Sequence, residues 1–360
     1  MERRDHTLEM QQLRHFCAVV DHGQIAAAAR AIAMTQPALS RSIRNLESNL
    51  GYTLLERNAK GVTLTAYGEI FLEHARSVMN EVKRARDNLA ALSGLARGRV
   101  TFGLNANFDT FLVPDALGAL LRNSPGVSVE ATTAFYDDLV VKVRTGALDF
   151  AVVLLPEVHG HPDLVEEEIL PVRFHVFAPV AHPLAGKRNL TLADVATRNW
   201  VLPNHTAMRS FDRYFQAAGV APPHGVMWAN SVPLVISAIH QCGLLSVLAD
   251  HLVDAEVRAG RIVALDVPAL PGQNSAALIS RIGAVLSPAA RALMGEIRLA
   301  ARRWTGQLGS PPQSQSRVER TSTTPASTSR SRKYCSMTPV HTRCLSRGVR
   351  AKPYPGRSTR

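Results

Sequence analysis

Cysteine is scarce and scattered in this 360-residue chain. Cys17, Cys242, Cys335 and Cys344 form no Cys-x-x-Cys pair, which excludes the common zinc spacings and a disulfide framework; Cys17 and Cys242 read as core residues. No run of about 18 uncharged apolar residues occurs, so no membrane partner is expected. MERRDHTLEM lacks the apolar stretch of a secretory signal, and a cytoplasmic protein follows as the expectation. Catalytic signatures are missing too: there is no G-x-S-x-G, Walker-type loop, G-x-G-x-x-G or H-E-x-x-H, so neither an enzyme nor a cofactor is expected. Asp137 and Asp138 are adjacent at a helix start, where they suit the dipole and not paired acid/base work. His159 and His161 in HGHP, with Asp163 near, lack a further ligand, so no metal is assigned.

Acid is nearly absent from one region. From Gly306 to Arg360 there are 11 Lys/Arg against a single acid, Glu319, whereas the other 305 residues hold 30 basic and 28 acidic groups. The net charge of +12 is therefore a property of the tail, and says nothing about whether the folded part binds DNA. Residues 306–360 are rich in Ser, Thr, Pro and Arg without apolar period and read as a disordered basic tail. Two readings stay open for it: an arm adding salt-sensitive affinity for DNA, or an extension with no selected role.

What is present is enough apolar residue, 46%, to build two or three cores. In TQPALSRSIRNLESNLG, Leu39, Ile43, Leu46 and Leu50 share one helix face, with Thr35 as N-cap and Pro37 in the first turn. Gln36, Ser40, Arg41 and Arg44 occupy another face. Before it, Leu13, Phe16, Cys17 and Val20 form an apolar stripe, and QIAAAARAIAM forms a short Ala-rich helix. The order helix, short helix, turn, helix is that of a helix-turn-helix, whose second helix reads base edges in the major groove. Gln suits adenine, Arg suits guanine or phosphate, and Ser adapts to either. A solvated helix face satisfies the same pattern. The next segment, YTLLERNAKGVTLTAYGE, has a turn at Asn58 to Gly61 between two extended pieces, the shape of a β-wing, with Lys60 at its tip and Arg57 bracing its base.

These stretches, with QLRHFCAVVDHG before them, closely resemble the winged helix-turn-helix of LysR-type transcriptional regulators over residues 10–70. The resemblance implies that Gln36, Pro37, Ser40, Arg41 and Lys60 read DNA. One departure is QIAAAARAI, where the family usually has Ser, Phe and Thr; Gln24 is a weak N-cap.

From Thr65 onward Phe71, Ala75, Val78, Val82, Ala85, Leu89 and Leu92 are spaced 4, 3, 4, 3, 4, 3, a heptad seam expected to pair with a second copy. A homodimer would present two recognition helices to a dyad-symmetric double-stranded operator. The resemblance adds a tetramer and RNA polymerase as further partners. Beyond Val100, strand-like runs (VTFGL, VSVEATT, DFAVVLL, RFHVFAPV, NWVLP, GLLSVLA, RIVALDV) alternate with helical stretches, predicting two α/β lobes with crossovers near 162–169 and 264–268. The expected fold is α/β with an N-terminal all-α winged helix-turn-helix. Its domains are a DNA-binding domain at 8–66, a linker helix at 67–94 and an effector domain at 97–304, with lobe I at about 97–162 and 268–304 and lobe II at about 163–267.

Ligands of open α/β sheets sit at strand ends and helix N-termini. Here those places hold Asn105, Asn107 and Thr110, then Thr133 and Tyr136, then Asn204, His205 and Thr206. Neutral donors with helix dipoles suit a carboxylate or other small organic anion, although each residue also suits a plain helix cap. PEVHGHPDL, VAHPLAGKRNLTLADV and the stretch from Ser231 to Gly243 resemble the LysR effector domain, shaped like a periplasmic solute-binding protein. Phe135 and Tyr136 stand where that family usually has Ser or Thr. The expected function is an effector-responsive transcriptional regulator; the alternative is a solute-binding or ligand-processing α/β protein with an appended helical assembly domain.

Overall fold

The computed structural model describes residues 8–58, 61–92, 98–202, 205–223, 225–270 and 272–307. Lys60, Asn204 and the tail from 308 lie outside the described residues, and for Leu92, His205 and Thr206 the backbone alone is described.

The first unit is three helices and a hairpin. Helices α1 (Met10–His22), α2 (Ile25–Ala31) and α3 (Gln36–Leu50) meet through Phe16, Ala28, Leu39, Ile43 and Leu46, each fully buried. Ala28 and Ala29 put no bulk at the crossing, which is why so short a helix serves. Gln24 makes no side-chain cap to α2, whereas the Thr35 hydroxyl accepts the Ala38 N–H at 3.4 Å and starts α3. Strands β1 (Leu55–Asn58) and β2 (Gly61–Leu64) pair antiparallel, Asn58 opposite Gly61. Gly61 has φ +141°, and a Cβ there would lie 2.4 Å from the Gly23 carbonyl, which accepts the Val62 N–H at 2.9 Å. Only glycine lets the wing sit so close to the end of α1.

Helix α4 (Ala66–Leu92) follows, 27 residues and about 40 Å long at 1.5 Å per residue. Its seam is divided, which corrects the expectation of one continuous intermolecular stripe. Phe71 packs edge-on to Phe16 with ring centroids 5.3 Å apart, and Ala75 is 1% exposed, so both belong to the core of their own domain. Beyond them Val78, Ala85 and Leu89 are exposed and Val82 is half-buried. The 4–3 spacing is the same whether the covering surface is one's own domain or a partner, and the turns that hold Phe71 and Ala75 are covered at home.

The rest is α/β. Strands β3 (Arg99–Leu104), β4 (Ser128–Thr133) and β5 (Phe150–Leu154) run parallel, with α5 (Val113–Asn123) and α6 (Tyr136–Arg144) between them. A 3-10 turn, Ala106–Phe108, precedes α5. Strand β6 (Leu164–Pro179) is 16 residues long. Its first part pairs with β11 (Gln273–Arg281) as far as Arg173, and its second part, from Phe174, pairs with β9 (Ser246–Ala249) and β10 (Ile262–Leu265). The passage between lobes thus lies inside β6, not in the expected connection at 162–169. Lobe II is completed by α7 (Leu192–Ala196), the parallel strands β7 (Trp200–Leu202) and β8 (Gly225–Trp228), α8 (His205–Ala217), α9 (Val232–Cys242) and α10 (Asp250–Arg258). Helix α11 (Pro288–Gln307) returns to lobe I and packs Leu293 and Ile297, both fully buried, against α5. Cys242 is exposed, correcting its assignment to the core: it is the last residue of α9, where the chain turns into solvent at Gly243; Cys17 is half-buried beside the first core.

Helix α4 is docked on lobe I. The Asn80 amide donates to the Thr145 carbonyl at 2.8 Å, and Arg281 pairs with Glu81 at 2.5 Å. Arg84 lies against Gly146 (φ +69°), where a Cβ would stand 2.0 Å from its Nη2. No helix among the described residues is long and apolar enough to cross a membrane.

Candidate nucleic-acid interface and ligand cleft

The polar face of α3 is open. Gln36, Pro37, Arg41 and Arg44 are exposed and Ser40 is half-buried. Ser40 is also engaged: both terminal nitrogens of Arg57, in the wing, lie 3.3 Å from its hydroxyl oxygen, so the base of the wing is tied to the recognition helix. The Ser40 hydroxyl keeps its own proton to donate. Two further contacts fix the pose of α3. His15 of α1, 7% exposed, has Nδ1 2.7 Å from the Ser42 hydroxyl, and burial pushes its imidazole below the usual range. The Glu47 carboxylate accepts the Leu54 and Leu55 N–H groups at 2.8 and 3.1 Å, joining the end of α3 to the start of the wing. Arg76 of α4 pairs with Asp21 of α1 at 2.5 Å and holds the linker against the same unit. The result is a rigid element presenting one Gln and two Arg at a helix N-terminus, the chemistry of base and phosphate contact.

The second candidate site lies where the carboxyl ends of the lobe I strands meet those of lobe II. Here the structure corrects several assignments. Asn105 is 8% exposed and engaged by backbone: its amide nitrogen donates to the Ala134 carbonyl at 2.9 Å, and its oxygen accepts the Leu154 N–H at 2.6 Å. It ties the ends of β3, β4 and β5 together, and its burial and these two bonds fix it as part of the scaffold. Thr133 donates to Asp109 at 3.1 Å, and burial raises the Asp109 carboxyl. Tyr136 donates to Glu166 at 3.2 Å; burial, then the Glu166 charge, push its phenol far up, so it stays a neutral donor. Asn107 offers its carbonyl to His251 Nε2 at 2.7 Å, and Thr110 is exposed. Of the eight donors proposed from sequence, the side chains of Asn105, Thr133 and Tyr136 are thus engaged within the protein, whereas Asn107 contributes only its backbone carbonyl there. Unspent N–H groups remain at helix starts: α6 at Phe135 and α9 at Ser231 have no side-chain cap.

Other residues cross between lobes. His251, second residue of α10, stacks on Phe111 with centroids 4.0 Å apart while it bonds Asn107, and burial lowers its pKa. Tyr214 of α8 donates to Glu157 in the loop after β5, with Arg213 3.7 Å from the same carboxylate. Beside the hinge in β6, a cavity of about 340 Å³ is lined by Phe174, His175 and Val176, by Phe211 of α8, and by the β10–β11 connection. None of the eight effector residues expected from sequence lines it. His251 follows the strand-like run GLLSVLA closely, its only local signal, and Tyr214, inside α8, had none. Elsewhere, His159 Nδ1 lies 2.9 Å from the Pro156 carbonyl and Asp163 binds Arg144 at 2.5 Å, so these two groups are engaged with protein.

Comparison with known proteins agrees with this layout. The family model described as "Bacterial regulatory helix-turn-helix protein, lysR family" matches residues 10–69, and that described as "LysR substrate binding domain" matches residues 93–302. The SDS degradation transcriptional activation protein of Pseudomonas sp. (strain ATCC 19151) is 36% identical over 299 residues, 80% of this chain and 95% of that protein. The RuBisCO operon transcriptional regulator of Allochromatium vinosum is 27% identical over 84% of this chain and 99% of its own length. The crystal structure of ArgP from Mycobacterium tuberculosis superposes with a TM-score of 0.60 at 21% identity, covering 82% of this chain and 98% of that one, a likeness of fold.

Proposed function

The chain belongs to the LysR family of transcriptional regulators, and from that membership and the geometry above we infer how its parts divide the work. It is a DNA-binding regulator with an effector-binding domain. Helix α3 enters the major groove with Gln36 and Arg41 toward base edges, Arg44 toward the backbone, and the Lys60 wing alongside. The exposed stripe of Val78, Ala85 and Leu89 on α4 pairs with a second copy, and two recognition helices then read a dyad-symmetric operator. The effector binds between the lobes and is a small organic anion. The uncapped starts of α6 and α9 support that charge, since helix N-termini favour anions. Differential affinity for two lobe arrangements would alter the pose of α4, which is bonded to lobe I through Asn80 and Glu81.

The observation that carries this reading is the exposed Gln36/Arg41 face on a helix braced by Arg57, Glu47 and His15. Its test is recovery of genomic DNA fragments on the full-length chain and on the Gln36→Ala/Arg41→Ala variant at physiological salt. Both carry the same basic tail, so non-specific binding cancels. Dyad-symmetric sites recovered by the parent chain and lost from the variant are the expected result. Equal recovery by both would remove the recognition helix from the reading.

A further inference from the structure

Helix α4 meets lobe I through polar side chains. Glu73 stands 3.9 Å from Arg144, the Asn80 amide donates to the Thr145 carbonyl at the C-terminal end of α6, and Arg281 pairs with Glu81. An interface of this kind permits relative motion, where a large apolar one would not. Within it Arg84 stands apart. Its side chain is 12% exposed, and Nε and Nη2 are buried without a hydrogen bond. Nη2 lies 3.1 Å from Glu81 Oε2, near enough to be attracted and not aligned to donate. That same oxygen takes Arg281 at 2.5 Å, so one acid faces two guanidinium groups. On its other side Arg84 rests on Gly146, where a Cβ would stand 2.0 Å from Nη2. Burying donors of a charged group without acceptors is costly, more so than for a neutral group. No other bond depends on that charge. Without it Glu81 keeps Arg281, and Asp149, which borders the same gap of about 50 Å³, keeps the Thr101 N–H and hydroxyl at 2.8 and 3.2 Å.

We propose that the joint between α4 and the Thr145–Gly146 turn is a release catch, and that the buried guanidinium of Arg84 keeps it weak, so that docked and released poses of the linker helix lie close in free energy. The proposal rests on the reading that the effector acts by altering the pose of α4, and it names the point where that pose gives way. Helix α6 supplies the connection. It starts at the cleft, at Phe135, and ends at the turn on which Arg84 rests, so a ligand that shifts this short helix bears on the catch directly. A residue that served only to hold the joint would have its donors bonded. Two of those on Arg84 gain acceptors only when α4 moves away and water enters.

The test is hydrogen exchange of the full-length chain, read on residues 77–88 of α4 and on 144–148, for the parent and for Arg84→Met, which keeps an unbranched side chain and removes the charge. Exchange at the joint should slow about tenfold in Arg84→Met, because release no longer relieves buried donors. Reasoning from contacts alone gives the opposite sign, an ion pair lost and faster exchange. Asn80→Ala is the control: its amide is bonded to Thr145, and its loss should speed exchange at the same residues. An operator fragment recovered by the parent chain gives a second readout. If the catch links α4 to lobe I, DNA binding should change exchange at 144–148 by about fivefold in the parent and by less in Arg84→Met. The proposal is overturned if Arg84→Met exchanges as fast as the parent or faster at the joint, or if operator binding leaves 144–148 unchanged. Arg84→Leu replaces Arg84→Met if the latter fails to fold, and failure of both also overturns it, since Arg84 would then be a structural bond. Failure of the parent to recover DNA counts against the regulator reading alone, and the comparison without DNA still decides the catch.

Discussion

Glu47 is the residue through which the recognition helix and the wing are joined, and removing its carboxylate has a calculable cost. One oxygen, Oε1, accepts two backbone N–H groups, those of Leu54 at 2.8 Å and Leu55 at 3.1 Å, and both leucines are buried at 2% and 6% exposure. Glu47→Ala leaves two donors without their acceptor, at about 1–3 kcal/mol each, and the half-buried position lets water recover part of that, so about 2–4 kcal/mol is expected. Glu47→Gln keeps a neutral oxygen in place and should cost about 1 kcal/mol, since charge-assisted bonds are roughly twice as strong as neutral ones. For a domain of this size about 1 kcal/mol corresponds to about 4–8 °C, so the Ala variant should lower the melting of the N-terminal domain by about 10–25 °C. The chain has several cores, so a single melting curve does not isolate this domain. Hydrogen exchange at the Leu54 and Leu55 amides does, and should accelerate strongly in Ala and modestly in Gln. Operator affinity should fall in the same order. If Gln were as damaging as Ala, or if the two amides kept parental protection in Ala, the carboxylate would not be the joint between helix and wing.

Three further outcomes follow from the same geometry. Asn105→Ala should destabilise the effector domain by about 2–5 kcal/mol, because the Leu154 N–H and Ala134 carbonyl lose their buried partner, while ligand selectivity stays as in the parent; denaturation and titration measure the two effects separately. Gly146→Ala places a Cβ on the Arg84 guanidinium and strains φ +69° by about 1–2 kcal/mol. Faster hydrogen exchange in α4 next to lobe I is expected, with operator contacts by α3 retained. His15 is held below its ordinary pKa of 6.5 by burial, so the unfolded chain takes up this proton first. Its contribution is complete above pH 6.5 and is lost as pH falls toward the folded pKa. Operator binding should weaken across that interval, and His15→Gln should remove this pH dependence; an unchanged profile would place the titrating group elsewhere.

The two halves of the molecule were unequally legible, for a physical reason. The recognition helix is specified by signals within a turn or two of one another: Thr35 at the cap, Pro37 in the first turn, Leu39, Ile43 and Leu46 on one face, Gly51 at the end. Nothing distant is needed to read them. Two elements of the α/β region escaped because their patterns are weak in isolation: QNSAALISR opens with polar residues, yet becomes β11 because both β5 and β6 pair with it, and the first half of β6 carries three consecutive glutamates. Those acids are affordable in a strand since Glu166, Glu167 and Glu168 each find a partner, in Tyr136, Arg298 and Ser275.

The site residues repeat the lesson with more at stake. Asn105, Thr133 and Tyr136 were recognised correctly as polar groups at strand ends, and wrongly as free ones. Their partners are Ala134, Asp109 and Glu166, which lie 29, 24 and 30 residues away along the chain. A polar residue after a strand is ambiguous between holding the scaffold and holding a ligand, and only the identity of its distant partner resolves it. The apolar lining of the hinge cavity was invisible for the opposite reason. Phe174, Phe211 and Leu270 look like core residues, and their neighbours are core residues. What distinguishes them is the packing left undone where β6 passes from one lobe to the other, a property of the assembled sheet that no stretch of sequence carries. At the ends of the lobe I strands, Asn105, Thr133 and Tyr136 announce chemistry by their type and are engaged in holding structure, so a substitution there tests the scaffold before it tests a ligand.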